Sequence, residues 1–324
     1  MPDPTVSVLV PVHDGEAFLG EALESALAQE HAPLELIVVD DGSADASAEI
    51  AAAYGARVIR QGNAGTAAAV NAARAAARGE LLALLDADDR WPAGKLSRQI
   101  EALGDAGLIY GDMTVIDGDG TVLCDSWLEL VWEGEPPSGR SCFGALLTAN
   151  AATASSIVLR ADLSRRLGPI PPHLRCADWW LALSAARAGE IAYLPEPRTG
   201  YRSHEGNIGL GTEGPALGRA HVRRAATQRC FLGEVRAGEA TPRELALAWN
   251  AFERNVSEAL AHLGSPFESI VPLGPAERER AWAELGAQHE DPAEALAAAV
   301  RALAANPWEP AAHAALEAAW ELVA

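Results

Sequence analysis

The chain has 324 residues, 49% hydrophobic and 22% charged, which is room for one sizeable domain plus a smaller one and the balance of an ordinary globular protein. A formal net charge of −20 excludes a nucleic-acid groove or a general anionic-membrane footprint, since both need a basic surface. No stretch approaches the ~20 apolar residues of a membrane span, the start Met1-Pro2-Asp3-Pro4-Thr5 has no basic or long apolar segment, and the four cysteines (Cys124, Cys142, Cys176, Cys230) lack zinc or disulfide-framework spacing; the expectation is a cytoplasmic protein with reduced thiols.

The first element is a β-branched run, Val6 to Val12, read as a buried strand. Phe18 to Gln29 follows with apolar residues at helical spacing, and Leu34 to Val39 reads as a second strand that ends in Asp40-Asp41-Gly42-Ser43. A helix over Asp45 to Tyr54, a short strand over Ala56 to Arg60, the turn Gly62-Asn63-Ala64-Gly65 and an Ala-rich helix over Thr66 to Arg78 come next. Gly79-Glu80 leads into the run Leu81 to Leu85, which ends in Asp86-Ala87-Asp88-Asp89. This alternation predicts an α/β fold with a doubly wound, mostly parallel sheet, whose acidic strand ends lie on one edge, where such sheets bind ligands. Read as extended backbone, Asp86 and Asp88 point to one side and suit a hard divalent cation; the alternative is that Asp88 or Asp89 caps a helix starting near Pro92 or Ala93.

Four stretches, Val8-Leu9-Val10-Pro11-Val12-His13-Asp14, Val39-Asp40-Asp41-Gly42-Ser43, Asn71 with Gly79-Glu80, and Leu85-Asp86-Ala87-Asp88-Asp89, give this sequence the order and spacing of the family 2 glycosyltransferases. The chain resembles these inverting enzymes with the GT-A nucleotide-sugar fold over roughly its first hundred residues. The resemblance implies that Pro11 and His13 border the nucleobase, Asp41 accepts a hydrogen bond from its imide, Asn71 belongs to the nucleotide site, Asp86 lies near the ribose and metal, and Asp88 binds the metal. The chemistry at Asp41 agrees, because an ionised carboxylate only accepts and an imide N–H only donates. Asp40 reads instead as a turn residue satisfying backbone amides. Where many relatives carry Ala-Arg-Asn this chain has Ala69-Val70-Asn71, so an arginine that could assist nucleotide binding is absent.

Leu96 to Leu103 reads as a helix, and Gly107 to Ile116 and Thr121 to Trp127 as strands around Asp117-Gly118-Asp119-Gly120, whose acids are turn residues. Glu133 to Ser141 is a loop placed over the site, Phe143 to Leu147 a short helix, and Ala152 to Leu159 a strand bearing Ser155 and Ser156. In Cys176-Ala177-Asp178-Trp179-Trp180, Asp178 matches the family's catalytic base, although Ala177 replaces the preceding Glu; the competing reading is a helix N-cap. Trp179 and Trp180 are expected to split, one in the core and one against a sugar or acceptor. After the strand Ile191 to Leu194, Tyr201-Arg202-Ser203-His204 resembles the segment whose His completes the metal's coordination, with Arg202 on phosphate or in an ion pair.

From about Pro215 five helices are predicted, making residues 1–212 a GT-A domain and 213–324 an all-α C-terminal extension. Residues 282–307 resemble one tetratricopeptide repeat and 312–316 the start of another, so the tail is expected to dock on the catalytic domain or on a second copy, which would make a homo-oligomer. The reading as a whole is a metal-dependent (Mn²⁺ or Mg²⁺) inverting glycosyltransferase taking a nucleotide-diphosphate sugar, UDP-linked by preference, to an acceptor of unspecified class: glycan, lipid-linked sugar, small molecule or protein. The alternatives are a catalytically silent nucleotide-sugar-binding or scaffold protein and a sugar nucleotidyltransferase. The latter wants a basic glycine-rich loop after the first strand, and Val10 to Gly15 contains neither Lys nor Arg.

Overall fold

The structure is a computed structural model that describes residues 3–204 except 133, 141, 172, 173 and 175, together with scattered positions between 221 and 258. The chain divides into two compact units, Met1–Arg140 with Asn150–His204, and Ser141–Ala149 with Glu205–Ala324.

The first unit is built on a mixed sheet of eight strands: β1 (Val6–Val12), β2 (Glu35–Asp40), β3 (Arg57–Arg60), β4 (Leu81–Leu84), β5 (Leu108–Ile116), β6 (Val122–Cys124), β7 (Val158–Arg160) and β8 (Ile191–Arg202). Their order is β3-β2-β1-β4-β7-β5-β6, with β8 added alongside β5. β1, β2, β3 and β4 pair in parallel, β7 and β6 run antiparallel to their neighbours, and β8 is parallel to β5. β1, β2 and β4 are covered on both faces, which is why they read as nearly continuous apolar runs, whereas the edge strand β3 keeps Arg57 and Arg60 exposed. Val6, Val8 and Val10 point into the same core as Leu19, Leu23 and Ala26 of α1 (Leu19–Leu27). Each such fully buried side chain contributes about 1.5–3 kcal/mol of burial. Gly79 is required by closeness: a Cβ there would lie 2.5 Å from the Ser7 amide nitrogen.

Between the strands run α2 (Ser47–Ala53), α3 (Thr66–Ala76), α4 (Lys95–Leu103), α5 (Leu128–Val131), α6 (Phe143–Leu146), α7 (Ala161–Leu167) and α8 (Ala177–Ala188). Several differ from expectation for identifiable reasons. α4 starts at Lys95 rather than near Pro92, because the Pro92 carbonyl closes a turn onto the Lys95 amide and also accepts from Gln29 Nε2. The strand expected through Trp127 stops at Cys124, because Ser126 Oγ accepts from the Glu129 amide and starts α5, and Asp112 binds Ser126 Oγ and the Leu128 amide. Residues 154–156 form a 3-10 turn before the short β7. β8 runs eight residues beyond Leu194, and a register shift opposite Gly111–Met113 lets the Pro195 to Arg198 stretch bulge out before pairing resumes at Thr199. Asp117 caps its own turn through the Asp119 and Thr121 amides, as expected.

The far end of the loop after α5 is not over the strand ends that carry the acids. Its Gly139 pairs with Ile191 at the start of β8, and Tyr110 Oη donates to the Pro137 carbonyl, which places that end of the loop at the opposite edge of the sheet.

In the second unit, Phe143 of α6 meets Phe231 edge-on at 6.1 Å, and Gln228 Nε2 donates to the Leu147 carbonyl while Asn255 Nδ2 donates to Gln228 Oε1. Most described positions between 221 and 258 are helical. The predicted helices beyond 258 and the tetratricopeptide-like stretch lie outside the described residues.

Candidate active site

Two groups of carboxylates stand at the C-terminal ends of the parallel strands. The first is at the end of β2. Asp41 is buried, and its oxygens accept from Gln61 Nε2 at 2.8 Å, the Ala64 amide at 2.8 Å and the Gly65 amide at 2.7 Å. Gly65, at φ +90°, is the residue before α3, so Asp41 caps that helix from outside the helix. Asp40 accepts from the Ser43 amide at 2.9 Å, the turn role expected of it. Beside them, Pro11 pairs in register with Val39, the Asp41 amide donates to the Val12 carbonyl, and His13 Nε2 lies 3.2 Å from Asn63 Nδ2. Pro11, His13 and Asp41 are thereby gathered around the loop of residues 61–65.

Asn71 is not in that group. Its side chain brackets the Ile170 backbone, with Nδ2 on the carbonyl at 2.8 Å and Oδ1 accepting from the amide at 2.9 Å, and Oδ1 also accepts from Arg74. The expected nucleotide role is corrected to a latch, because the segment leading to α8 has polar backbone that α3 must satisfy.

The second group is at the end of β4. Asp86 and Asp88 do not lie on extended backbone: the Asp89 amide donates to the Asp86 carbonyl, closing a turn over Asp86 to Asp89. The Asp86 amide is fixed by Ser155 Oγ at 2.9 Å. Asp88 Oδ2 meets His204 Nε2 at 3.0 Å, and the His204 ring packs against Phe18 at 5.0 Å. Asp89 is buried; one oxygen accepts from the Arg202 amide at 2.9 Å, and the other has no hydrogen-bond partner among the described residues. Asp89 does not cap a helix. Burial, then the charge of Asp88, pushes its carboxyl up to about 8. Asp86 is likewise held well above the ordinary carboxylate range, first by burial and then by the charges of Asp89, Asp88 and Asp178.

Arg202 is fully buried and in an ion pair rather than a phosphate site: its guanidinium bonds Glu21 Oε2 at 2.6 Å, the Asp88 carbonyl at 2.9 Å and the Asp117 and Gly118 carbonyls. It ties the acidic turn to α1 and to the β5–β6 turn.

Asp178 sits in the first turn of α8. It accepts from Asn150 Nδ2 at 2.9 Å and from the Trp179 amide at 2.8 Å, and burial raises its pKa. Asn150 was not anticipated from the sequence, and neither was the role of the segment it opens. Residues 150–156 hold Asp178 through Asn150, the Asp86 amide through Ser155 Oγ, Trp91 Nε1 through the Ser155 carbonyl, and Gln99 through the Ser156 carbonyl. One short irregular stretch therefore sets the spacing between the acidic turn and Asp178. Trp179 and Trp180 do not split as expected. They are 1% and 8% exposed, because α8 is apolar on almost its whole circumference and is covered all round.

Among the described residues no group of three or more His, Cys, Asp or Glu is arranged to hold a metal ion. Asp88 and His204 offer two ligands side by side, and the mutual repulsion of Asp86, Asp88 and Asp89 is what a cation would relieve. Mg²⁺ and Mn²⁺ sites with few protein ligands are completed by water and substrate phosphates, so the donor set fits such a cation.

Residues 7–137 match the family described as Glycosyl transferase family 2. An uncharacterized protein of Mycobacterium tuberculosis is 35% identical over 217 residues, which is 63% of this chain and 60% of the relative. An uncharacterized glycosyltransferase of Nostoc is 31% identical over 216 residues, 62% of this chain and 66% of the relative. The chain thus spans somewhat under two thirds of the length of these relatives. Among solved structures, Staphylococcus aureus TarS 1–349 in complex with UDP-GlcNAc aligns at TM-score 0.58 and 16% identity over 97% of this chain and 91% of that one. The mannosyltransferase PcManGT of Pyrobaculum calidifontis, in complex with GDP-Man and Mn²⁺, aligns at 0.55 and 21% over 99% and 86%. The mixed α/β fold with its mostly parallel sheet matches the GT-A architecture of these transferases.

Proposed function

We propose that the chain is an inverting glycosyltransferase that moves a sugar from a nucleotide-diphosphate donor, UDP-linked by preference, to an acceptor hydroxyl. The observation that carries this reading is the juxtaposition of Asp86 and Asp178 across residues 150–156, close enough that the charge of Asp178 raises the pKa of Asp86. Together with the family 2 match over residues 7–137, that juxtaposition supports a donor side and an acceptor side of one reaction centre.

On the donor side, Pro11 and His13 flank the base. Three of the roughly four lone-pair sites of Asp41 are taken by the 61–65 loop, and the remaining one accepts an imide N–H. Asp88 and His204 would hold a divalent cation, with Asp86 beside them; when bound, that cation neutralises the charge of the leaving diphosphate. On the acceptor side, Asn150 orients Asp178, whose carboxylate takes the proton of the acceptor hydroxyl as its oxygen forms the new bond to the anomeric carbon. The bond from that carbon to the diphosphate breaks on the opposite face, so configuration inverts. Asp178 keeps the proton until it returns to solvent. The preference for UDP rests on Asp41; a relative in the same fold was crystallised with GDP-Man, and guanine also presents an N–H.

The test is a panel of UDP-, dTDP- and GDP-sugars with Mn²⁺, read by calorimetric binding and by slow donor hydrolysis. Binding of one nucleotide class with hydrolysis that depends on Asp178 is the expected result. Binding with no hydrolysis or transfer would favour the catalytically silent alternative, and no binding at all would overturn the proposal.

A further inference from the structure

We propose that Tyr201, braced on Trp127, is a specificity-determining residue that donates a hydrogen bond to a hydroxyl of the pyranose bound at the acidic centre. The inference rests on the glycosyltransferase reading and goes beyond it in naming the group that contacts the sugar.

Side chains alternate along a strand, so Thr199 and Tyr201 share one face of β8 and Arg202 takes the other. The Thr199 face is the one toward the reaction centre: Thr199 Oγ1 donates to the Ser155 carbonyl at 3.3 Å, and Ser155 Oγ holds the Asp86 amide. The backbone on either side of Tyr201 is tied down. Gly200 pairs with Arg90, next to Asp89, and the Arg202 amide binds Asp89 itself. The Tyr201 ring packs against Trp127 with centroids 5.3 Å apart, and Trp127 is 7% exposed with its amide on the Met113 carbonyl. The phenol is thus placed by a strand, a bridge and a buried aromatic, the kind of support that fixes a contacting group.

Its hydroxyl makes no hydrogen bond among the described residues, although Asp89, Asp88, Asp86 and Asp178 all act on it electrostatically. Burial and those four charges push its pKa upward, so it remains a neutral donor. A ligand group that accepts from it must itself tolerate the surrounding carboxylates. An anionic group not shielded by the cation would be repelled, and a cation needs no donor, whereas a sugar hydroxyl can accept from the phenol and donate to a carboxylate at once. Trp179 and Trp180, the other aromatic candidates, are buried and present no such surface.

The experiment uses the full chain and Tyr201→Phe, which keeps the ring and its contact with Trp127. Calorimetry with Mn²⁺ compares UDP with UDP-GlcNAc and GDP with GDP-Man, and transfer is followed with a panel of p-nitrophenyl hexosides. If the pyranose belongs to the donor, the variant weakens binding of the nucleotide sugar by about 3- to 10-fold and leaves the matching nucleoside diphosphate unchanged. If it belongs to the acceptor, both donor affinities are unchanged and the KM for the hexoside rises by a similar factor. Either result supports the inference. Equal weakening of nucleoside diphosphate and nucleotide sugar, or all constants within twofold of wild type, would overturn it. Wild-type protein that binds no nucleotide sugar would overturn the glycosyltransferase reading and this inference with it.

Discussion

The two acidic strand ends look alike in sequence and are opposite in physical state. At the end of β2, Asp40 and Asp41 are buried among donors: three reach Asp41 alone, two of them backbone amides at the start of α3. At the end of β4 the carboxylates crowd one another, and Asp178 at the start of α8 has a raised pKa although Asn150 Nδ2 and the Trp179 amide donate to it. Asp89 has an oxygen with no partner among the described residues, and Asp86, Asp89 and Asp178 all have raised pKa values. Burial alone therefore does not fix the state of a carboxylate; the donors and charges that meet it do. A satisfied carboxylate stabilises the fold, whereas an unsatisfied one costs stability until a ligand arrives.

The largest effect that would sharpen this contrast is on turnover. Asp178→Asn is expected to lower transfer by roughly 10²–10⁴, the usual scale for a general base, with donor affinity nearly intact. A variant within about threefold of wild type would remove Asp178 from the chemistry. Next is Asp88→Ala, which should weaken donor binding far more with Mn²⁺ than with EDTA, because Asp88 and His204 are the pair that would act through a cation. Equal weakening in both conditions would make Asp88 a structural residue instead.

The pH dependence has a definite sign. A base must be ionised, and burial raises the pKa of Asp178, so the acid limb of kcat against pH should fall at a pH above the ordinary carboxylate range. An acid limb at or below that range would contradict the burial that shapes this residue. The smallest effect expected is at Gly79, far from either acidic group. Gly79→Ala must move its Cβ away from the Ser7 amide and should cost about 1–3 kcal/mol by thermal unfolding, with donor KM unchanged.

Much of the first contrast was legible in the sequence. β1, β2 and β4 are nearly continuous apolar runs because both of their faces are covered, and the two acidic ends follow from where those runs stop. What joins the second group was not legible. Residues 150–156 have no periodicity, since their side chains hold other parts of the molecule instead of packing on one face. Asn150 and Ser155 are common turn residues, and only the positions of Asp178 and Asp86 beside them reveal their work. Pro195 and Pro197 hid the second half of β8, and so hid that Tyr201 and Arg202 lie on opposite faces of a strand. The pair Trp179-Trp180 misled for a different reason: an aromatic pair on a helix suggests one exposed face only if the helix has one.

The contrast between satisfied and unsatisfied carboxylates is tested most directly by thermal unfolding of Asp41→Asn and Asp178→Asn against wild type, in EDTA, from pH 4 to 8. A carboxyl whose folded pKa is raised binds its proton more tightly in the folded state, so its contribution to stability is lost as pH rises through that pKa. Asp178→Asn leaves one of the Asn150 Nδ2 and Trp179 amide donors without an oxygen but removes the disfavoured charge, so Tm should fall slightly toward the unfolded carboxylate pKa and rise above wild type by an amount that grows with pH. Asp41→Asn should lower Tm throughout, since an amide cannot accept from all three loop donors, and a loss of about 1–3 kcal/mol is a few degrees for a domain of this size. Opposite signs at pH 7 are the predicted result; a fall in Tm for Asp178→Asn as large as that for Asp41→Asn would contradict the account.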